Sequence, residues 1–262
     1  MKIALIGYGK MGRLLGTRLR EKGHEILVVV DPLCSGAGET LPSGAQFFKT
    51  LEDALKGGLK NVDAAIEFTH PDAAVENLLF LVREKIPVVT GTTGWSARLP
   101  EITKAVNDAE SSLLWSSNFS LGVNVFLRIA EYAAKLFNPF AEYDVAGIET
   151  HHNKKADSPS GTAKTLVERV LAQMTRKKKA VYEMLEKKPE EDEIHYASVR
   201  LGSVPGTHSL FFDSAADTIE ITHTARSREG FAAGAVLAAE WLCAKKRTGV
   251  FTVDSALADI LP

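Results

Sequence analysis

Cysteine is scarce in this chain, since Cys34 and Cys243 are the two cysteines among 262 residues. Two thiols so far apart form neither a disulfide framework nor the paired spacing of a zinc site, so we expect a reducing, cytoplasmic setting. Long apolar runs are also missing, because no uninterrupted stretch approaches the ~20 residues of a membrane-spanning helix. The chain begins directly with an apolar strand pattern, Lys2–Ile6, rather than with a secretory leader. These absences predict a soluble cytoplasmic protein with no membrane partner.

An excess of charge of either sign is missing as well. Lys and Arg number 31 against 33 Asp and Glu, which leaves a formal net charge of -2. Binding to a nucleic-acid backbone requires a cationic surface, so nucleic acid is not an expected partner. Apolar residues are plentiful, because they make up 45% of the chain, enough for one large domain or two modest ones.

Residues 1–115 alternate short β-branched runs with helical patterns. This alternation predicts βαβ units and a doubly wound parallel sheet. The predicted strands are Ile3–Ile6, Glu25–Val30, Val62–Ile66, Val88–Thr90 and Leu113–Trp115. The predicted helices between them are Lys10–Lys22, Pro71–Glu84 and Leu99–Ala109.

The pattern changes after Gly122, where a second, α+β domain is expected. Helices are predicted over Val123–Phe137, Ala163–Met174 and Phe231–Lys245, and strands over Tyr143–Glu149, Ile194–Arg200, His208–Asp213 and Thr218–Thr224. The last three strands have no helix between them, so we expect them to pair antiparallel. The charged stretches Arg176–Lys179 and Lys187–Glu193 predict a solvated loop. The final helix is expected to return to the first domain.

A glycine-rich turn follows the first predicted strand and opens the first predicted helix. It consists of Gly7, Tyr8, Gly9, Lys10, Met11 and Gly12, with the G-x-G-x-x-G spacing of dinucleotide-binding turns. The first glycine permits a tight bend, the second lets backbone N–H groups approach a pyrophosphate, and the third allows close packing of helix and strand. The anion then lies at the positive end of the helix. A glycine-rich turn without a ligand is the alternative.

Asp31 stands at the end of the second predicted strand, where a carboxylate accepts hydrogen bonds from the adenosine ribose hydroxyls. The same carboxylate repels a 2′-phosphate, and no Arg or Lys lies between Asp31 and Phe48 to offset that repulsion. The sequence therefore favours NADH over NADPH. A solvated turn residue before Pro32 is the alternative interpretation of Asp31.

Two further turns follow predicted strands of the same sheet. The first contains Gly91, Thr92 and Thr93, and the second contains Ser116, Ser117, Asn118 and Phe119. Ligands of open α/β sheets bind outside the carboxyl ends of the strands, so both turns are candidates for the nicotinamide half of the cofactor site. Either one, taken singly, is also consistent with a plain loop.

The segment Glu149–Ala163 concentrates groups suited to proton transfer and anion binding. It contains the imidazoles of His151 and His152, the ammonium groups of Lys154 and Lys155, and a helix start at Ser160, Gly161 and Thr162. The free N–H groups of a helix start form a ready carboxylate site. Zinc is a weaker alternative, since no carboxylate or cysteine stands at the spacing that further ligands would need, and no metal is expected. Cations, donors and a candidate acid thus converge on an anionic substrate.

The motif His-His-x-x-Lys-x-Asp-x-Pro-Ser-Gly-Thr-Ala in this segment resembles the signature of the 4-hydroxy-tetrahydrodipicolinate (dihydrodipicolinate) reductase family. Further motifs in the family order are Gly7–Gly12, Ile66–Thr69, Gly91–Gly94, Asn118–Asn124 and Glu220–His223. The resemblance implies a Rossmann-like cofactor domain over residues 1–119, a substrate-binding and oligomerisation domain over 120–229, and a C-terminal helix and tail, 230–262, that returns to the cofactor domain. It also implies a homotetramer.

The chemistry that the resemblance implies is reduction of a cyclic imine dicarboxylate in the diaminopimelate branch of lysine biosynthesis, with NADH or NADPH as reductant. By position, Lys155, His152 and the Gly161–Thr162 backbone would hold the carboxylates, and Thr93 would bridge toward the cofactor. His151 is the implied proton donor, because an unperturbed His titrates near ~6.5. Lys155 would also stabilise charge that develops as hydride arrives.

Two other functions fit part of this pattern. Aspartate-semialdehyde and homoserine dehydrogenases share the glycine turn and two-domain plan, but the former needs a central nucleophilic cysteine, and the cysteines stand at 34 and 243. A non-enzymatic protein that senses redox state by binding NAD(H) would not need the grouping of His151, His152 and Lys155.

Overall fold

The computed structural model describes residues 1–33, 42 and 44–260. The chain forms two compact units, Met1–Ser120 together with Arg228–Pro262, and Leu121–Ser227. Cys34 lies outside the described residues, whereas Cys243 is a partly buried free thiol. Burial raises the pKa of the Cys243 thiol to about 11, which makes it a weak nucleophile at neutral pH.

The first unit is built on a seven-stranded sheet in which all pairs are parallel, and it confirms the predicted doubly wound fold. Its strands are β1 (Lys2–Ile6), β2 (Glu25–Val30), β3 (Gln46–Phe48), β4 (Ala64–Glu67), β5 (Val88–Thr90), β6 (Ser112–Trp115) and β12 (Gly249–Thr252). The order across the sheet is β12-β6-β5-β4-β1-β2-β3. The chain therefore proceeds in opposite directions on either side of β1, and the switch point lies between β1 and β4.

Helices cover both faces of this sheet. They are α1 (Lys10–Glu21), α2 (Leu51–Lys56), α3 (Pro71–Arg83), α4 (Leu99–Asp108), α7 (Glu229–Ala244) and α8 (Val253–Ile260). Alternate residues of β1 enter different cores, because Ile3 packs with α1 and α7 whereas Ala4 packs with α3 and α4. The last long helix, α7, thus belongs to the first unit. Among the described residues, no helix has the length and apolar character needed to cross a bilayer.

The second unit confirms the expected mixed α+β domain. Its five strands are β7 (Asp144–His151), β8 (Lys179–Val181), β9 (Glu193–Arg200), β10 (Thr207–Asp213) and β11 (Thr218–Thr224), in the order β11-β10-β7-β9-β8. Its helices are α5 (Leu121–Phe137) and α6 (Gly161–Gln173). Phe126 of α5, Leu166 of α6 and the strand residues Tyr196 and Phe212 form its core.

The predicted pairing of the last three strands is correct for β10 with β11, which are antiparallel, but wrong for β9. Strand β9 pairs in parallel with β7, so that His151 lies opposite Arg200. The cause is α6, which supplies the crossover that a parallel pair requires. The pairing places the carboxyl ends of β7 and β9 side by side.

The prediction of a solvated loop is wrong at Lys177, whereas Lys178 and most of Lys187–Glu193 are exposed as predicted. Lys177 is only 4% exposed, and its ammonium donates to Asp144 Oδ1 at 2.6 Å and to the carbonyl oxygens of Glu191 and Glu193 at 2.8 and 2.9 Å. Three acceptors satisfy the three donors of an ammonium group, which permits its burial. The residues that follow form β8.

Candidate functional site

The glycine turn between β1 and α1 has the backbone of an anion-binding loop. Gly7 has a φ of +91°, and a Cβ there would collide with the backbone oxygen of Phe68. A Cβ at Gly12 would collide with the carbonyl oxygen of Gly7, so helix and turn touch through backbone atoms. Nothing lies within 4 Å of the corresponding position at Gly9, which caps α1. The start of α1 is therefore open to a phosphate group.

Asp31 is tied to this turn by its carboxylate. One oxygen, Oδ2, accepts the Tyr8 backbone N–H at 2.7 Å, and Oδ1 accepts the Leu33 N–H at 2.9 Å. A carboxylate has further lone pairs, so these two bonds leave capacity for ribose hydroxyls. Asp31 is thus a fixed acceptor beside the glycine turn.

A cavity of about 970 Å³ lies at the carboxyl ends of β1 to β5. The predicted cofactor residues that line it are Gly7, Tyr8, Gly9, Lys10, Met11, Asp31, Gly91, Thr92 and Thr93. The predicted residues that do not line it are Gly12, Ser116, Ser117, Asn118 and Phe119. The volume is sufficient for a large ligand, and the position is the one that open α/β sheets use for nucleotides.

The turn after β6 is held by its own polar groups. Ser116 Oγ donates to the Asn118 carbonyl at 2.9 Å, and Asn118 Oδ1 accepts the Ser120 N–H at 2.9 Å. The Phe119 ring is 1% exposed and belongs to the core with α7. A cofactor contact by this turn stays a prediction.

Lys49 lines the same cavity as Asp31, and the sequence analysis missed it. Strands β2 and β3 are paired with Val30 opposite Phe48, and the Asp31 N–H donates to the Phe48 carbonyl at 3.1 Å. Lys49 therefore follows β3 at the point where Asp31 follows β2. The prediction that no Arg or Lys offsets the repulsion by Asp31 considered the residues up to Phe48, and strand pairing brings the next residue, Lys49, to the same cavity.

Glu67, at the end of β4, is a second residue to which the sequence analysis gave no role. Its side chain is fully buried and accepts hydrogen bonds from the hydroxyls of Thr69, Thr90 and Thr92. Thr92 Oγ1 in turn accepts the Thr69 N–H at 2.8 Å. The carboxylate thereby joins the ends of β4 and β5 and fixes the turn that carries Thr92 and Thr93.

In the second unit, Glu149 is the centre of a buried polar cluster. Glu149 and His151 are two residues apart on β7, so their side chains share one face. Glu149 Oε1 accepts from the Ser160 N–H at 3.0 Å, from Ser198 Oγ at 2.9 Å and from Arg200 Nη2 at 3.2 Å. Glu149 Oε2 lies 3.4 Å from His151 Nδ1. The predicted acid thus stands beside a carboxylate.

His208 joins this cluster from β10, where it is paired with Glu149. The ligand atoms of Glu149, His151 and His208 lie within 4.8 Å of one another. The prediction that no carboxylate stands at metal-ligand spacing is therefore wrong, since strand alternation and strand pairing bring the three side chains together. Glu149 contacts Arg200 through Oε1 and faces His151 through Oε2, and we interpret the cluster as an acid–base group.

The environment of this cluster changes its protonation. Burial opposes ionisation of Glu149, but hydrogen bonds from Ser160 and Ser198 outweigh it, so the carboxyl pKa lies below its usual value. Burial lowers the pKa of His151, and the attraction of Glu149 offsets this only in part. Burial also lowers the pKa of His208 to about 4. Near neutral pH, Glu149 is ionised and both imidazoles are largely neutral.

The loop between β7 and α6 carries the predicted substrate residues. Lys155 Nζ pairs with Asp157 Oδ1 at 2.7 Å, and Arg200 donates to the Asp157 carbonyl. His152 is half-buried in the same loop. Ser160 caps α6, with its Oγ accepting the Ala163 N–H at 3.1 Å. The backbone of Gly161 and Thr162 therefore forms the first turn of α6 beside these cations.

Gly206 completes the surroundings of His151 and was also missed. Its φ is +152°, and a Cβ there would lie 2.9 Å from His151 Nε2. Only the lack of a side chain at residue 206 leaves room for the ring. Within the second unit the structure thus brings together His151, Lys155 and the α6 start, and adds Glu149, Arg200, Gly206 and His208.

A parallel sheet with a dinucleotide turn at its switch point, followed by a mixed sheet with a buried acid–base cluster, is the plan of a two-domain nicotinamide-dependent oxidoreductase. Two protein-family models identify the family within this class. The model for the N-terminus of dihydrodipicolinate reductase matches residues 1–119, and that for its C-terminus matches residues 122–257. The chain belongs to the dihydrodipicolinate reductase family.

Individual relatives agree over full length. A 4-hydroxy-tetrahydrodipicolinate reductase from Christiangramia forsetii is 38% identical over 262 residues, covering 99% of both chains. One from Archaeoglobus fulgidus is 36% identical over 269 residues, covering 98% of this chain and 100% of the relative. The solved dipicolinate-bound dihydrodipicolinate reductase from Paenisporosarcina sp. TG-14 has the same fold, with a TM-score of 0.79, 21% identity, and coverage of 100% of this chain and 99% of that one.

Proposed function

We propose that this chain reduces 4-hydroxy-tetrahydrodipicolinate to tetrahydrodipicolinate in the diaminopimelate branch of lysine biosynthesis. The carrying observation is the grouping of His151, Lys155 and the α6 start around Glu149 in the second unit. The substrate is a dicarboxylate with a ring that takes up hydride and a proton, and this group offers cations, backbone donors and an acid.

The reaction divides into three steps. Loss of the 4-hydroxyl as water gives a conjugated imine, which accepts hydride at C4 from the reduced nicotinamide. The enamine that results takes up a proton, and we assign the role of proton donor to His151. The buried cluster around Glu149 holds His151 while it exchanges that proton.

The carboxylates of the substrate are assigned to the cations and donors of the β7–α6 loop. Lys155 exchanges its Asp157 partner for a substrate carboxylate and stabilises the developing charge. His152 and the Gly161–Thr162 backbone are assigned to the carboxylates as well. Thr93 lines the cavity of the first unit and is assigned to the substrate side of the cofactor.

The test is a coupled assay in which freshly made substrate and either NADH or NADPH are mixed with the protein. Loss of reduced-nicotinamide absorbance together with formation of tetrahydrodipicolinate supports the proposal. Binding of NADH without its consumption would instead favour the redox-sensing alternative.

We also propose NADH as the preferred reductant, with discrimination moderated by Lys49. Asp31 favours the ribose diol and disfavours a 2′-phosphate, whereas Lys49 lines the same cavity and its positive charge attracts that phosphate. The chain is therefore expected to use both cofactors, with a higher kcat/KM for NADH than for NADPH.

Lys49→Ala is expected to raise the KM for NADPH about fivefold, as loss of one exposed charge contact would. The KM for NADH should stay the same, because NADH has no 2′-phosphate. Steady-state kinetics with each cofactor measure the ratio. Lys10→Ala is the control, since it lies in the turn that serves the pyrophosphate of both cofactors and should weaken both alike. An unchanged NADPH KM in Lys49→Ala would remove Lys49 from cofactor selection.

We further propose that the protein forms a homotetramer through the outer face of the mixed sheet. Ala146, Ile148, Ala197 and Phe211 are neighbours on that face by strand pairing, and each keeps part of its surface exposed.

Light scattering should give the mass of four chains, and Phe211→Glu should lower that mass, because a buried charge would oppose association. Met184→Glu, at an apolar residue 85% exposed outside the sheet, is the control. A monomer at all concentrations would contradict the proposal.

A further inference from the structure

Two buried polar atoms on β7 face each other. Glu149 Oε2 and His151 Nδ1 are 3.4 Å apart, and among the residues that the structure describes neither has a hydrogen-bond partner. Glu149 is fully buried and His151 is 8% exposed. Buried polar atoms are seldom left without a partner, so this pair calls for a functional reason.

The direction of Glu149 Oε2 is fixed by the bonds of the other oxygen. Glu149 Oε1 accepts from three donors, one at the start of α6 and two on β9, namely the Ser160 N–H, Ser198 Oγ and Arg200 Nη2. With Oε1 held from two elements, the carboxylate cannot turn away, and Oε2 remains directed at the imidazole.

We propose that Glu149 is a positioning residue for His151. Its Oε2 accepts the Nδ1 proton of the ring, which fixes the tautomer and leaves Nε2 as the atom that takes up and releases the reaction proton. The inference rests on the proposed function, in which His151 is the proton donor. A distance of 3.4 Å is longer than an ordinary hydrogen bond, and such bonds shorten when a substrate complex forms.

Among the charged and titratable groups around His151, Glu149 is the one suited to stabilise the protonated ring. Lys155, Asp157, Arg200 and His208 face it from the loop, from β9 and from β10. Lys155 and Arg200 oppose a positive charge on His151, whereas the Asp157 carboxylate is paired with Lys155. Glu149 is therefore the buried anion that stabilises the imidazolium.

His208 does not compete for Glu149 Oε2. Its Nδ1 lies 3.2 Å from Tyr196 Oη and 3.9 Å from Glu149 Oε2. Tyr196 Oη donates to the Ile148 carbonyl at 3.2 Å, so it accepts from His208 rather than donating to it. His208 Nδ1 therefore donates its hydrogen bond to Tyr196 Oη and not to Glu149.

The test is the tautomer of His151, read from ¹⁵N chemical shifts in protein labelled at histidine and assigned with His151→Gln. In the wild type the neutral ring should carry its proton on Nδ1. In Glu149→Gln, the amide oxygen keeps the three donors of Oε1 and the amide N–H₂ faces the ring. That change should move the proton to Nε2.

Kinetics provide the second readout. Glu149→Gln should lower kcat about 10–100-fold, as loss of an orienting partner does. The KM for NADH should not change, and the pH at which activity falls should move downward, because the imidazolium loses its counter-charge. Glu131→Gln is the matched control. Glu131 on α5 forms an ion pair with Arg169 on α6, away from His151. It should leave the tautomer and kcat unchanged.

Two results would overturn the inference. One is a wild-type His151 with its neutral proton on Nε2, a measurement that needs no variant and stands even if Glu149→Gln fails to fold. The other is a folded Glu149→Gln with the wild-type tautomer and pH profile. Because the tautomer is read without turnover, an inactive wild type would refute the proposed function and leave this test intact.

Discussion

Replacement of His151 by Gln is expected to lower kcat about 10²–10⁴-fold, with little change in the KM for NADH. Gln can occupy the space beside Glu149 and Gly206, but it has no proton of matched acidity to give to the enamine. Single-turnover absorbance measurements with saturating NADH separate this loss from a loss of binding. His152→Gln is the comparison, since it should chiefly raise the KM for substrate. An unchanged kcat in His151→Gln would transfer the proton donor role to another group.

The same residue sets the sign of the pH dependence. His151 donates only when protonated, so activity must fall as pH rises through its pKa. Burial holds that pKa below the usual 6.5 in the free protein, which places the fall in kcat/KM below that pH. A bound dicarboxylate adds negative charge and raises the pKa, so kcat should fall at a higher pH than kcat/KM. Loss of both pH dependences in His151→Gln is the corresponding check.

Lys155→Met is expected to reduce kcat/KM about 10²–10³-fold, which is the usual cost of removing one charge-stabilising group from an active site. Met keeps the length of the side chain and removes the ammonium that pairs with Asp157 at 2.7 Å. Both substrate affinity and turnover should decline, since the ammonium serves the carboxylate and the developing charge. Initial rates over a range of substrate concentrations measure both.

The neighbouring residue provides the control for this change. Lys154→Met removes the same charge from the adjacent, exposed residue and should leave the kinetics unchanged. Full activity in Lys155→Met, or an equal loss in both variants, would refute a specific role of Lys155.

Much of the first sheet could be predicted because its strands are short apolar runs separated by amphipathic helices. The predicted bounds of β2, Glu25–Val30, are those observed. The short strands β3 and β12 gave no such signal, because Gln46–Phe48 and Gly249–Thr252 contain fewer β-branched residues than Val88–Thr90, a short strand that was predicted. The parallel pairing of β9 with β7 was missed because strand direction depends on the crossover made by α6, not on the strand itself.

The candidate site likewise contains residues that the sequence could predict and residues that depend on strand pairing. His151 and Lys155 stand in one contiguous motif, so the sequence alone singled them out. Arg200 and His208 reach Glu149 only through strand pairing, and Lys49 reaches the Asp31 cavity in the same way. Nothing local marks such residues, since the contact is created by register. A search of strand ends that could pair with known site strands would have found them.

The connections that lead into α1 and α6 differ in the groups that they offer to an anion. The difference determines how easily the binding of nucleotide and of substrate can be changed by substitution. The Gly7–Gly9 connection presents backbone N–H groups to an anion, and Lys10 is the basic side chain that follows it in the turn. The His152–Ser160 connection leads to an equivalent helix start but carries His152, Lys155 and Asp157. Substitution of these side chains should therefore alter the retention of the dicarboxylate far more than that of the nucleotide. Substrate choice is accordingly open to redesign in one loop while the cofactor cradle is left untouched.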